Sequence, residues 1–176
     1  MHPMATPVPS LAPVPSLTAD DPRLGPWRSF IHANARLLRR LDEELQAAHG
    51  LSLAEYDALL QLVNAPGRRL RMSALAERVL LSRSGITRLV DRLESSGMVR
   101  RSACQTDARG AEAELTSAGL DRLRAASRTH LDGVARYFLA TTSDADREAV
   151  DRACSGMLDE LGRDPSAESS CTAATD

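Results

Sequence analysis

Arg83, Ser84, Thr87, Arg88, Asp91 and Arg92 alternate in pairs with Ile86, Leu89, Val90 and Leu93. Wound as a helix from Arg83 to Ser96, this stretch buries the four apolar side chains on one face and leaves the six polar ones on the other. An arginine on such a face can donate two N–H groups to guanine O6 and N7, or bind a phosphate. The hydroxyls of Ser84 and Thr87 suit phosphates or base edges. Arg83, Ser84, Thr87 and Arg88 occupy the first half of the helix, the half that meets base edges when a recognition helix enters a major groove.

Such a helix needs a frame. Ser82 stands where a hydroxyl can cap it by accepting an orphan backbone N–H. Gly97 follows its last apolar residue, as a C-terminal cap. A short helix opened by Ser73 and carrying Leu75, Ala76 and Val79 precedes it, separated by a tight turn. After Gly97 the period becomes strand-like. Val99–Cys104 and Ala111–Leu115 flank the polar loop 105–110 and predict a hairpin. Two short helices, a three- to four-residue turn and a hairpin make a winged helix-turn-helix. Arg101 on the first hairpin strand and Arg109 at the loop tip complete the predicted DNA-facing set of Ser82, Arg83, Ser84, Thr87, Arg88, Arg92, Arg101 and Arg109. The loop arginine would enter a minor groove, where negative potential is strongest.

Long helices flank this unit. Pro26 starts the first, in which Trp27, Phe30, Ile31, Leu37, Leu38, Leu41 and Leu45 recur at steps of three and four, and Gly50 ends it. A second helix follows Ser52, with Tyr56, Leu59, Leu60 and Val63 inward, and stops at Pro66-Gly67. Thr116 or Ser117 opens a long helix with Leu120, Leu123, Leu131, Val134 and Phe138. Ser143 and Asp146 have capping-box spacing before a last helix with Val150, Met157, Leu158 and Leu161. The order is therefore four helices, a hairpin and two helices, a mainly α chain. Residues 53–116 form the winged helix-turn-helix, and 23–52 with 117–162 form long N- and C-terminal dimerisation helices. The expectation of a homodimer rests on apolar stripes that a lobe this small cannot cover. Residues 1–22 hold six prolines and read as a disordered arm; residues 163–176 are small and polar and read as a tail.

Charge supports the same partner. The 176 residues carry a net charge of −2, yet residues 66–110 hold ten arginines against Glu77, Asp91, Glu94 and Asp107, a local balance of +6. A basic centre between acidic ends is the footprint expected of duplex DNA binding. There is no P-loop, zinc-protease or nucleophile-elbow motif, so neither an enzyme nor a cofactor is expected. The four histidines are scattered, and Cys104, Cys154 and Cys171 have no metal-binding or disulfide spacing. No apolar run reaches the length of a membrane span, and no signal peptide is legible, which points to the cytoplasm.

Several runs together resemble the MarR family of regulators. They are Ser73-Ala74-Leu75-Ala76-Glu77-Arg78, then Thr87 to Glu94, Gly97-Met98-Val99, Asp107-x-Arg109-Gly110, and Leu115-Thr116 with Gly119. The likeness covers about residues 28–160. It implies a homodimer with interlocked first, fifth and sixth helices, acting on a palindromic operator as a repressor that a small molecule releases. It also implies an effector site that would draw on Trp27, Ile31, Asn34, Tyr56 and Asp57, for an aromatic or anionic ligand. Asp57, Arg88 and Arg101 match positions used by the family's urate-responsive branch, but Trp27 does not match that branch's tryptophan. Peroxide-sensing members use a cysteine early in the first helix, and this chain has none there.

Overall fold

A computed structural model of the chain describes residues 17–103 and 111–162. The helices are α1 (Gly25–His49), α2 (Leu53–Val63), α3 (Met72–Arg78), α4 (Arg83–Ser95), α5 (Ser117–Tyr137) and α6 (Asp144–Leu161). The strands are β1 (Arg69–Arg71), β2 (Val99–Ala103) and β3 (Ala111–Leu115), in the spatial order β1-β3-β2 with both pairings antiparallel. The predicted order of elements is present, with β1 added. The tail, the first sixteen residues of the arm, Cys104 and the loop bearing Asp107, Arg109 and Gly110 lie outside the described residues.

The chain divides into two compact units, one ending at Arg40 within α1 and one beginning at Leu41. The first contains a 3-10 turn at Pro22–Leu24, so Pro22 opens structure rather than closing the arm, and α1 starts at Gly25, one residue before Pro26. Trp27, Phe30, Ile31 and Leu38 are exposed, and the Trp27 and Phe30 rings lie 6.4 Å apart.

The second unit holds the core. Leu45, Leu51, Leu59, Leu62, Leu75, Ile86, Leu89, Val90, Leu93, Val99, Ala113, Leu115, Leu123 and Ala126 are buried together. The apolar faces expected of α3 and α4 are there. On α2 the buried row is Glu55, Tyr56, Ala58, Leu59 and Leu62, while Leu60 and Val63 are half-buried. Leu131 of α5 is exposed, and α6 buries none of its residues.

Local signals explain most boundaries. Ser52 and Glu55 form a reciprocal capping box at the start of α2, and Ser143 and Asp146 form another at α6. Thr116 caps α5 by accepting the Gly119 N–H, and Gly97 closes α4 in the left-handed region at φ 72°. One expectation fails. Ser73 is not a cap, because α3 begins at Met72 directly out of β1, and its N-cap position, Arg71, makes no side-chain cap bond.

Candidate nucleic-acid interface

Two helices and a strand build the predicted DNA face. The Ser82 hydroxyl accepts the Gly85 N–H at 3.1 Å and fixes the first turn of α4. The turn before it carries Leu80 at φ 56°, a left-handed conformation that costs a non-glycine residue about 1–2 kcal/mol. Leu80 is 91% exposed, so no burial repays that strain in the single chain.

Arg83, Ser84, Thr87, Arg88 and Arg92 are all exposed on α4. Their local bonds differ. Among the described residues Arg83 and Arg88 make no side-chain hydrogen bond or ion pair, so both guanidiniums are free for a partner. Ser84 meets Ser82 hydroxyl to hydroxyl at 3.3 Å, and the Thr87 hydroxyl donates to the Arg83 carbonyl at 2.9 Å. Arg92 is engaged: its Nε donates to Glu55 Oε1 at 2.8 Å, which ties the last turn of the recognition helix to the first turn of α2. Arg101 is engaged as well. Its guanidinium donates to Asp91 at 2.5 Å and to the Thr87 carbonyl at 3.0 Å. Arg71, Ser73, Glu77, Arg83, Thr87 and Arg101 border one open cleft of about 800 Å³ between α3, α4 and the sheet. The wing arginine, Arg109, lies outside the described residues.

Sequence reasoning missed Glu55. Among the described residues it is the one charged residue in the buried set, 8% exposed. Burial pushes its carboxyl up, but the Ser52 N–H, the Arg92 guanidinium and the Ser52 hydroxyl together outweigh burial and hold it below the ordinary glutamate range. The Ser52-x-x-Glu55 spacing was a visible signal for the cap; the contact with Arg92, 37 positions away, had none. A lowered pKa in the folded state means stability that is present above the unfolded-state value and lost as pH falls through the folded one. Glu55→Gln should therefore lower the melting temperature at pH 7. The gap from wild type should close as pH drops below about 4.3, where the unfolded carboxylate itself protonates. Thermal unfolding by circular dichroism across pH 3–7 reads this directly; a gap just as wide at pH 3 would show that the charge is not what matters.

The expected effector residues are divided between the units. Trp27, Ile31 and Asn34 belong to the first, where Asn34 is solvent-exposed and needs no buried partner for its amide. Tyr56 and Asp57 belong to the second. Tyr56 is core, its hydroxyl donating to Ser127 at 3.4 Å and its ring 4.6 Å from that of His130. Asp57 accepts from Gln61 at 3.2 Å. Burial pushes the His130 imidazole down against the pull of Asp57, and its Nδ1 is buried with no hydrogen-bond partner among the described residues.

Comparison with known proteins gives a consistent set. A family model described as the MarR family matches residues 49–110. The chain is 32% identical over 110 residues to the HTH-type transcriptional regulator PrsX of Escherichia coli, an alignment covering 61% of this chain and 66% of that regulator, just short of two thirds of its length. Among solved structures it resembles Sco3205, a MarR family transcriptional regulator from Streptomyces coelicolor in complex with DNA. The identity is 33%, the coverage 84% of this chain and 91% of that one, and the TM-score 0.77. AbsC, another MarR family regulator from the same organism, shares 31% identity over 83% of this chain and 98% of its own, also with a TM-score of 0.77.

Proposed function

The chain belongs to the MarR family of transcriptional regulators, and from that premise we propose that it binds a palindromic duplex operator as a homodimer and represses until a small molecule releases it. These relatives are regulators and not enzymes. The observation that carries the reading is the pair of unengaged arginines, Arg83 and Arg88, on the exposed first half of α4, with Ser84 and Thr87 between them. That set offers guanidinium forks for guanine edges or phosphates, on a helix whose rotation is fixed by four buried side chains. A gel shift against the chain's own promoter region, with a scrambled duplex beside it, tests the proposal. Retarded promoter DNA at concentrations that leave the scrambled duplex free is the expected result; equal retardation of both, or of neither, would sink it.

The dimer has separate support. Trp27, Phe30, Ile31 and Leu38 on α1, Leu131 on α5, and Val150, Met157, Leu158 and Leu161 on α6 are exposed apolar side chains. Each of the two units thus leaves large apolar side chains uncovered, the kind of surface that a partner copy covers. Reading two half-sites also needs two lobes about 34–36 Å apart. Sedimentation at micromolar concentration should give twice the chain mass; a monomer would defeat the dimer.

No helix among the described residues is long and apolar enough to cross a membrane. A cytoplasmic location follows from the proposed work on DNA. The effector is expected to be aromatic or anionic.

A further inference from the structure

We propose that Arg101 does not touch DNA but sets the angle between the wing and the recognition helix, acting as a positioning residue clamped by Asp91, Glu94 and the Thr87 carbonyl.

Strand alternation places the residue. Arg101 pairs directly with Ala113, which is fully buried, and Val99, two positions earlier, pairs with Leu115. Residues opposite one another in an antiparallel pair share a face. Arg101 therefore points to the inner face of the sheet, towards α4. Arg100 takes the other face, where it pairs with Glu114 at 2.9 Å.

The inner-face guanidinium is spoken for. One terminal nitrogen lies 2.5 Å from Asp91 and 3.5 Å from Glu94, and the other donates to the Thr87 carbonyl at 3.0 Å. The backbone adds a second tie. β2 is an edge strand, and the Arg101 N–H donates to Glu94 Oε1 at 3.0 Å. Residues 87, 91 and 94 are one helical face of α4, spaced four and three apart. Arg101 and its own amide thus grip three successive levels of the recognition helix from a single strand position. Two donors to two carboxylates and a carbonyl fix both distance and rotation, which one surface ion pair would not. At 29% side-chain exposure, Arg101 is also less accessible than Asp91 at 52% or Glu94 at 40%.

The clamp makes a prediction opposite in sign to simple electrostatics. Asp91 is a negative charge on a lobe that meets a polyanion, so its loss would by charge alone tighten binding. As half of the clamp, its loss should loosen the wing and weaken binding. The affinity consequence rests on the DNA-binding function proposed above, while the clamp itself is readable in the free protein.

The experiment compares wild type with Asp91→Asn, Arg101→Ala and Arg101→Lys. In free protein, amide hydrogen exchange along β2 should quicken on the order of tenfold in Asp91→Asn and Arg101→Ala, as charge-assisted bonds are lost. Salt titrations of affinity for the promoter duplex follow. Asp91→Asn should weaken binding about tenfold. Arg101→Ala should weaken it with the slope of log K against log salt unchanged. Arg101→Lys should not restore it, since an ammonium keeps the charge but cannot fork to a carboxylate and a carbonyl together. A slope lower by about one per protomer in Arg101→Ala would mark a phosphate contact and overturn the proposal. So would tighter or unchanged binding by Asp91→Asn, or unchanged exchange in both variants. Asp91 is exposed, so its variant folds and keeps the test alive if an Arg101 variant does not. If wild type binds no duplex, the proposed function has failed, and the exchange rates alone decide the clamp.

Discussion

Among the described glycines Gly119→Ala should be the most damaging substitution, costing on the order of 3–4 kcal/mol and roughly 10 °C of melting temperature. A Cβ at residue 119 would stand 2.1 Å from the Met98 carbonyl oxygen, 2.9 Å from its carbon and 2.8 Å from a Leu115 methyl. Met98 cannot swing aside. Its carbonyl accepts the Thr116 N–H at 3.1 Å and the Thr116 hydroxyl at 3.0 Å, and the same hydroxyl also reaches the Gly97 carbonyl at 2.7 Å. Thr116 in turn caps α5 by accepting the Gly119 N–H at 3.0 Å. The turn from α4 into β2 and the first turn of α5 are thus laced together with no room between them. Making room means withdrawing α5, and with it Leu123 and Ala126 from the core. Thermal and urea unfolding measure the loss. Gly25→Ala is the control, because nothing lies within 4 Å of a Cβ there and the backbone is helical; it should stay within about 0.5 kcal/mol of wild type. A Gly119→Ala protein as stable as that control would mean α5 does not dock against Met98.

Gly119 shows what a sequence can and cannot disclose. The run Leu115-Thr116 with Gly119 is recognisable as a pattern, but the reason for the glycine is a carbonyl twenty-one positions earlier. Most signals confined to one turn hold, among them the Ser82 and Thr116 caps, the Gly97 stop and the spacing that buries Ile86, Leu89, Val90 and Leu93, while the Ser73 cap fails because β1 runs straight into α3. Contacts between distant segments did not. β1 is three residues, Arg-Leu-Arg, with no apolar alternation to mark it, and pairing with β3 is what makes it a strand. Arg92 and Arg101 look like free cations in a basic stretch, yet Arg92 is met by a carboxylate from α2 and Arg101 by two from α4. The apolar stripe of α1 was legible throughout, but only Leu41 and Leu45 are buried within the chain. A period reveals that a face must be covered without saying by what.

That division of the arginines sharpens the case for Arg88. With Arg92 and Arg101 engaged, Arg83 and Arg88 are the guanidiniums on α4 and β2 that make no bond among the described residues. Arg88 stands one residue past Thr87 and between the buried Ile86 and Leu89, so its position on the solvent face is fixed by the core. A bidentate contact from such a position to one base pair is worth about 1–3 kcal/mol. A symmetric dimer makes the contact twice, so Arg88→Ala should cost roughly 2–6 kcal/mol, a loss of affinity from about thirtyfold to beyond ten-thousandfold. Stability should not change by more than about 0.5 kcal/mol, because an exposed side chain without partners is all that is removed. The loss should also be selective: the variant should cease to prefer the promoter over duplexes altered at a single symmetric position, while non-specific binding falls only by the phosphate charge, if any, that Arg88 neutralised. Competition gel shifts against a panel of single-position operator variants, alongside thermal unfolding, separate these effects. Wild-type affinity with the same preferred sequence would mean that α4 enters the groove by another face. An equal loss on every duplex, with a salt slope reduced by about two per dimer, would make Arg88 a phosphate contact and leave base reading to Arg83.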